Sequence, residues 1–300
     1  MTNFRRIPLF AAALAIATLA PSFAEGTVAE PPVVDGAAIE RLLRLSGISK
    51  QLAQVEPGLM AALEEAGSPE EGALDDRVGQ ILATAFSTAY APERLQESVR
   101  ASLPRLLDES ALAAALEWLE SDLGRKVAGL EEAASSPEEN TIQREQAQAQ
   151  FAGLPPARRA QIDRLSQAIQ LTESTVSIMI QVNVGLVRGL SEAAPELGID
   201  PEIVAANLQA QREQLAAALE PELVGSLAYT YRTLESAELE RYVGFAESEP
   251  GRRYHAATIA AVEQAFATAA ELAGTLIADA RTSEVAAVPA PSARALVVSL

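Results

Sequence analysis

Residues Leu116–Lys126 read LEWLESDLGRK, and residues Val243–Arg253 read VGFAESEPGRR, 127 positions further along the chain. A second block repeats at the same offset: Gly58–Ala66 reads GLMAALEEA, and Gly185–Ala193 reads GLVRGLSEA. One offset shared by two distant blocks is typical of the duplication of a structural unit. The sequence therefore predicts two tandem repeats, at 37–134 and 158–280.

The periodicity around these blocks favours helices in both repeats. Apolar residues recur at spacings of three and four, the period of one helix face. In the first repeat this stripe comprises Ile39, Leu42, Leu43, Leu45, Ile48, Leu52 and Val55, and Pro57-Gly58 is expected to break it. Only 4% of the residues are aromatic, so small aliphatic side chains must fill the core. We predict an all-α fold of two tandem helical-hairpin repeats that form a helical bundle or short array.

One stretch carries the opposite signal. Apolar residues occupy every second position from 176 to 186, which is typical of a strand: Val176, Ile178, Ile180, Val182, Val184 and Leu186. Their counterparts at the 127-residue offset, 49–59, show no alternation. A single strand would also have no ladder partner, so we interpret 176–186 as helix.

The segments outside the repeats have distinct compositions. We predict a signal peptide at 1–24, a flexible leader at 25–36, a helical connector at 135–157 and a disordered tail at 281–300. In the second repeat, the Glu-Pro-Glu sequence at 220–222 predicts a helix start, and 251–277 predicts one long Ala-rich helix.

The first 24 residues have the pattern of an export signal. Arg5 and Arg6 precede an apolar run that is too short to span a bilayer, and small residues at 22 and 24 predict cleavage after Ala24. The rest of a twin-arginine motif is missing, so the general secretory route is favoured. These features predict a periplasmic protein with no stable membrane anchor after cleavage.

Charge and cysteine content exclude several classes of function. The net charge of −18 becomes −20 once the segment containing Arg5 and Arg6 is removed. Such an acidic chain disfavours nucleic acid and anionic lipid as partners. The chain has no cysteine, which excludes disulfides, thiolate metal sites and cysteine nucleophiles.

The repeated block predicts a helix-hairpin corner. Ser248 can end one helix and cap the next, Pro250 is tolerated in a first turn, and Gly251 allows close approach. Phe245 would pack at the elbow. The residues that we single out as this structural motif are Trp118, Ser121, Gly124, Phe245, Ser248, Gly251 and Arg253.

The longer stretch 235–253, ESAELERYVGFAESEPGRR, resembles the domain-of-unknown-function 2059 family of exported Gram-negative proteins. Phe245, Ser248, Gly251 and Arg253 fit the family pattern of an aromatic followed by Ser-Pro-x-Gly and a basic residue. Pro250 is displaced from its usual place after the serine, and Ala246 replaces a second aromatic. The likeness is best over about 220–280, and the repeat suggests two tandem copies. It implies an all-α envelope protein without an assigned activity.

The remaining candidates for chemistry are better explained as structural residues. His255 is the only histidine, and its counterpart in the first repeat is Ala128, so a surface or packing role is favoured over catalysis or metal binding. The acids at 117, 120, 122, 247 and 249 are interpreted as solvated helix faces. The basic pairs at 125–126 and 252–253 are expected to pair locally with Glu120 and Glu247.

The sequence contains neither a Gly-x-Ser-x-Gly elbow nor a Gly-rich phosphate loop. We therefore predict no enzyme, and no catalytic, cofactor-binding or metal-binding residues. The expected function is a binding or structural module in the periplasm, with an unknown protein partner or an apolar ligand. The alternative is a carrier of an apolar or lipid-like ligand in a groove between the repeats.

Overall fold

The computed structural model of the 300-residue chain describes residues 35–66, 76–135 and 151–285. Every regular element in these ranges is helical, which confirms the all-α prediction, including a helix over 176–186. The first half contains α1 (Gly36–Leu45), α2 (Ile48–Leu52), α3 (Val55–Ala66), α4 (Asp76–Ala89), α5 (Pro92–Leu106), α6 (Glu109–Glu120) and α7 (Asp122–Ala134). The second half contains α8 (Pro156–Ala168), α9 (Leu171–Ala193), α10 (Pro201–Ala210), α11 (Arg212–Thr230), α12 (Ser236–Glu247) and α13 (Glu249–Val285).

The chain breaks earlier than the sequence predicts in the first repeat. Gly47, with a φ of 73°, separates α1 from α2 in a left-handed conformation that glycine adopts without strain. Pro57 and Gly58 lie inside α3 instead of ending a helix. Proline is tolerated there because the first-turn N–H groups of a helix have no intrahelical acceptor.

Two helix limits in the second repeat also differ from the prediction. The helix expected to start at Glu220 begins at Arg212, and Pro221 lies in its interior on an exposed face. Water can bond the carbonyl that this proline leaves without a donor. The last helix continues to Val285, so residues 281–285 of the predicted disordered tail are helical.

The apolar alternation over 176–186 arises because α9 is buried on two faces. Val176, Ile180 and Val184 follow one face and pack against α10 and α11. Ile178 and Leu186 follow the opposite face and join the core that contains α13. Two stripes, each with a spacing of four and lying on opposite faces, produce a two-residue repeat within a helix.

Two hydrophobic clusters share the helices of the two halves. The first cluster joins α1 to α6 with α13 and part of α9, and the second joins α8, α11 and α12 with α7. The final helix of each half therefore packs into the core formed mainly by the other half. The limits of the predicted repeats are not the limits of the hydrophobic clusters.

Small residues bring α9 and α13 into close contact. A methyl group at Gly189 would overlap the carbonyl oxygen of Glu271, and one at Gly274 would overlap that of Leu186. Each glycine therefore admits the backbone of the facing helix. This crossing fixes the long α13 against the second half, while its other face fills the first cluster.

Some predictions concern parts of the chain outside the described residues. These parts include the signal peptide at 1–24, most of the leader at 25–36, most of the connector at 135–157 and the tail beyond 285. Within the described ranges, no helix combines the length and apolar character needed to cross a bilayer.

Candidate functional site

The two predicted corners have the same local geometry. In the α6–α7 corner, the Ser121 hydroxyl donates to the carbonyl of Trp118 at 2.6 Å and accepts from the N–H of Gly124 at 2.9 Å. In the α12–α13 corner, the Ser248 hydroxyl makes the matching bonds at 2.6 and 3.1 Å. One serine thus ends the first helix and caps the second.

The corner glycines are needed for close approach to the preceding helix. A methyl group at Gly124 would overlap the Trp118 carbonyl, and one at Gly251 would overlap the Phe245 carbonyl. The close contact that the sequence predicts is therefore made within the corner, rather than with a neighbouring helix.

The corners face each other, and their aromatic residues stack. The ring centroids of Trp118 and Phe245 are 4.7 Å apart with an interplanar angle of 7°. Trp118 also stacks on Tyr242, with centroids 5.6 Å apart. Trp118 and Phe245 both pack against the two hydrophobic clusters, so the stacked corners join the clusters at one point.

Basic residues after each corner cross to the other half. Lys126 binds Glu238 at 2.7 Å, and Arg253 binds Asp108 at 3.1 Å. Both acids lie at helix N-termini: Asp108 caps α6, and Glu238 takes part in the capping box of α12. Both ion pairs join the two halves, but they are largely exposed, so each contributes little to stability.

The basic pairs contact Glu120 and Glu247 as the sequence predicts, but they bind the backbone of these residues and not their carboxylates. Arg125 and Arg252 donate to the carbonyl oxygens of these residues. The carboxylates bind elsewhere: that of Glu120 pairs with Arg41, and that of Glu247 pairs with Arg164 at 2.6 Å.

An open groove of about 730 Å³ lies over the two corners. It is lined by acids (Glu117, Asp122, Glu238), bases (Lys126, Arg241) and the edges of the stacked rings. Its charges have mixed signs, and Lys126 and Glu238 already pair with each other. The groove therefore offers no strong preference for a ligand of one charge.

A smaller cavity of about 70 Å³ lies between the two clusters. Its wall includes Leu119 and Tyr254 from the first cluster and Val127, Tyr231 and Tyr242 from the second. Residues of both exchanged helices, α7 and α13, line it. Unlike the cores on either side, it is lined by many polar groups.

Glu131 of α7 places a carboxylate against this cavity. Its Oε1 accepts the hydroxyl of Tyr231 at 2.6 Å and that of Tyr242 at 3.0 Å. Burial of the carboxyl raises the pKa of Glu131 from 4.5 to about 7, although the two tyrosine hydrogen bonds lower it. Within the described residues, no lysine or arginine pairs with this carboxylate.

Three other polar atoms in the wall are buried and have no hydrogen-bond partner, and they belong to Gln51, His255 and Thr258. Gln51 is 1% exposed, and its Oε1 is unpaired. His255 contributes an Nε2 that is likewise buried and unpaired. Burial lowers the pKa of His255 from 6.5 to about 4, so the ring is neutral at pH 7. Leaving such a group unpaired costs about 1–3 kcal/mol, which favours a ligand or water that satisfies it.

Sequence reasoning singled out some of these residues and missed others. Trp118 and His255 were considered, and His255 packs beside Phe245 and Tyr254 with ring centroids 6.1 and 5.0 Å away. Gln51 and Glu131 were missed, although a signal exists. Each lies on the buried face of its helix, three or four residues after Ile48 and Val127 respectively.

No protein-family model, curated protein or solved structure matches this chain. The resemblance to the domain-of-unknown-function 2059 family therefore stays a prediction. The described residues also contain no group of three or more histidines and carboxylates suited to a metal ion.

Proposed function

We propose that this chain is an exported periplasmic binding protein, without catalytic activity, whose internal cavity takes a small polar ligand. One observation carries the proposal: the unpaired Gln51 Oε1 and His255 Nε2 line the same cavity as the Glu131 carboxylate. Proteins satisfy most of their buried polar atoms, so three atoms of one cavity wall without a protein partner favour a bound molecule there. A bound molecule with several polar groups would supply that partner.

The volume of the cavity limits the ligand. About 70 Å³ is roughly half the 150 Å³ of an engineered cavity that holds benzene, which corresponds to about three non-hydrogen atoms. A lipid-like ligand would need a larger and more apolar space. The alternative of an apolar carrier therefore receives less support from this site.

The exposed surface gives less support to a protein-interaction module. Among the described residues, the only large hydrophobic side chains that are exposed are Leu106 and Ile203. Stable protein interfaces generally have a continuous apolar centre. A protein partner would have to bind mainly through polar contacts.

We also propose that the two halves of the chain arose by tandem duplication of one helical unit. Helices α6 and α12 have bounds that differ by 127 residues at both ends, and α7 and α13 start 127 residues apart. The serine bonds of the two corners also match. Duplication of one unit that exchanges its final helix accounts for these similarities. Superposition of 92–134 on 219–261 tests it, and unrelated paths of the chain would contradict it.

A thermal-shift screen tests the function. Molecules of two to four non-hydrogen atoms, with cationic, neutral and anionic members, are added to the wild-type protein and to Gln51→Leu. We expect at least one to raise the Tm of the wild type and to have a smaller effect on the variant. Gln209→Leu, at an exposed position of α10, is the matched control and should respond like the wild type. Equal responses of all three proteins would contradict the proposal.

Export is tested separately by N-terminal sequencing of the protein recovered from the periplasm. We expect the mature chain to begin at Glu25. An intact Met1 or a cytoplasmic location would contradict the export part of the proposal.

A further inference from the structure

We propose that the ligand of the cavity is a small ammonium cation, such as ammonium or methylammonium, bound beside Glu131. This inference rests on the proposed function and adds the chemical class of the ligand. It follows from the charge, the hydrogen-bond acceptors, the aromatic rings and the size of the cavity.

The charge of the wall favours a cation. Among the residues that line the cavity, Glu131 is the only acid, and there is no lysine or arginine. When Glu131 is ionised, the wall therefore has a negative charge. An anion would meet this carboxylate without a compensating positive group. A cation would neutralise a buried charge whose hydrogen-bond partners are the neutral hydroxyls of Tyr231 and Tyr242.

The acceptors match the donors of an ammonium group. The wall offers the Glu131 carboxylate, the unpaired Gln51 Oε1 and the unpaired His255 Nε2. A neutral imidazole accepts through one ring nitrogen, and an ammonium group donates through each N–H. Methylammonium has three such N–H groups to donate.

The aromatic rings of the wall suit the same ligand. Trp118, Tyr231, Tyr242 and Tyr254 all line the cavity. The faces of aromatic rings attract cations, and cages of such rings bind ammonium groups. Because Trp118 already stacks on Phe245 and Tyr242, this contribution is assigned to Tyr231 and Tyr254. A neutral or anionic ligand would gain nothing from this arrangement beyond contact area.

Binding should depend on the protonation of Glu131, so the groups around that carboxyl must be considered together. Those that face it are Tyr231 after α11, Tyr242 of α12, and Tyr254 and His255 of α13. Helix α2 contributes the neutral Gln51, while its Lys50 pairs outward with Glu132 at 2.7 Å. Arg158 of α8 donates to the backbone carbonyl of Tyr231 instead of the carboxyl. Glu131 is therefore the group whose charge changes near neutral pH.

The test is isothermal titration calorimetry of the full chain with three probes: methylammonium, formamide and formate. They have similar sizes and are positive, neutral and negative. We expect methylammonium alone to bind the wild type at about pH 8, and its affinity to fall about tenfold or more at about pH 5.5, where Glu131 is protonated. Glu131→Gln should lose at least tenfold in affinity at about pH 8. Glu132→Gln, its neighbour outside the cavity, should bind like the wild type.

The outcomes separate this inference from the proposed function. Tighter binding of formamide or formate than of methylammonium would overturn the ammonium assignment and leave a polar-ligand cavity in place. Binding of no probe and no thermal shift with any small molecule would overturn both. If Glu131→Gln does not fold, NMR titration of the Glu131 carboxyl in the wild type decides. Its pKa must fall when methylammonium is added, and an unchanged pKa would overturn the inference.

Discussion

At the scale of single residues, the cavity places two titrating groups in environments that oppose their charged forms. Burial favours the protonated Glu131 and the neutral His255. Their effects on stability have opposite signs with rising pH. Over about pH 4.5 to 6.5 the two effects largely offset each other, so each has to be isolated by substitution.

The first prediction concerns Glu131. Its pKa is higher in the folded state than in the unfolded chain, so the folded state keeps a proton that the unfolded state releases between pH 4.5 and about 7. The carboxyl therefore lowers the free energy of unfolding progressively over this range, by up to roughly 3 kcal/mol. Glu131→Gln keeps an acceptor for both tyrosines and should gain stability over the wild type as pH rises from 4.5 to 8. Denaturant unfolding at several pH values measures this, and a pH-independent difference would contradict it.

The second prediction concerns His255. Its pKa is lower in the folded state, so the stabilising effect of the neutral ring is present above pH 6.5 and is lost as pH falls to about 4. His255→Phe keeps the ring contacts with Phe245 and Tyr254 but cannot be protonated. Relative to the wild type, it should gain up to roughly 3 kcal/mol between pH 6.5 and 4. A constant difference in unfolding free energy across that range would show that His255 titrates normally.

Part of this site could be predicted from the sequence. His255 could be singled out because it is the only histidine of the sequence and has no counterpart in the first repeat. The signal for Gln51 and Glu131 is weak, since a single polar residue on an apolar helix face is equally consistent with the edge of that face. Tyr231 and Tyr242, which line the same cavity, lie about 100 to 190 residues further along the chain, and periodicity does not report contacts over such distances.

At the scale of elements, the corners are the most regular feature of the molecule. Each has one serine that bonds both helices and one glycine that admits a carbonyl oxygen. The spacing of these residues is local, and that is why the sequence alone could indicate a corner. The breaks at Gly47 and the continuous helix through Pro221 were not predictable in the same way, because tertiary packing decides them.

The third prediction tests the corner glycine. Gly251→Ala introduces a methyl group against the Phe245 carbonyl and should lower the unfolding free energy by about 1–3 kcal/mol. Gly244→Ala, in α12 with no atom near the added methyl, is the control and should be neutral or slightly stabilising. Thermal unfolding followed by circular dichroism compares them. Equal Tm values for the two variants would contradict the close-contact role of Gly251.

At the scale of the whole molecule, the exchange of final helices makes the two halves depend on each other. Helix α13 supplies Tyr254, Val262 and Phe266 to the first cluster, and α7 supplies Leu123 and Val127 to the second. A substitution that disrupts the packing of either cluster should therefore destabilise both clusters. The sequence predicts two repeats but gives no sign of this exchange, because amphipathic helices can pack in either arrangement.

The fourth prediction follows from that dependence. Ile162 of α8 is fully buried in the second cluster, and Ile162→Ala should cost about 2–5 kcal/mol. Native-state hydrogen exchange should show lowered protection in α5, on the first cluster, by a similar free energy. Unchanged protection of α5 beside a destabilised α8 would mean that the halves unfold independently.

The most direct test of the central claim is a high-resolution crystal structure of the protein purified from the cells that make it. The cavity between the clusters should contain a molecule other than water. Its polar atoms should lie within hydrogen-bond distance of Gln51 Oε1 and His255 Nε2, beside the Glu131 carboxyl. A cavity that holds only water, or a closed cavity in which these protein atoms pair with one another, would contradict the claim that this is a ligand site.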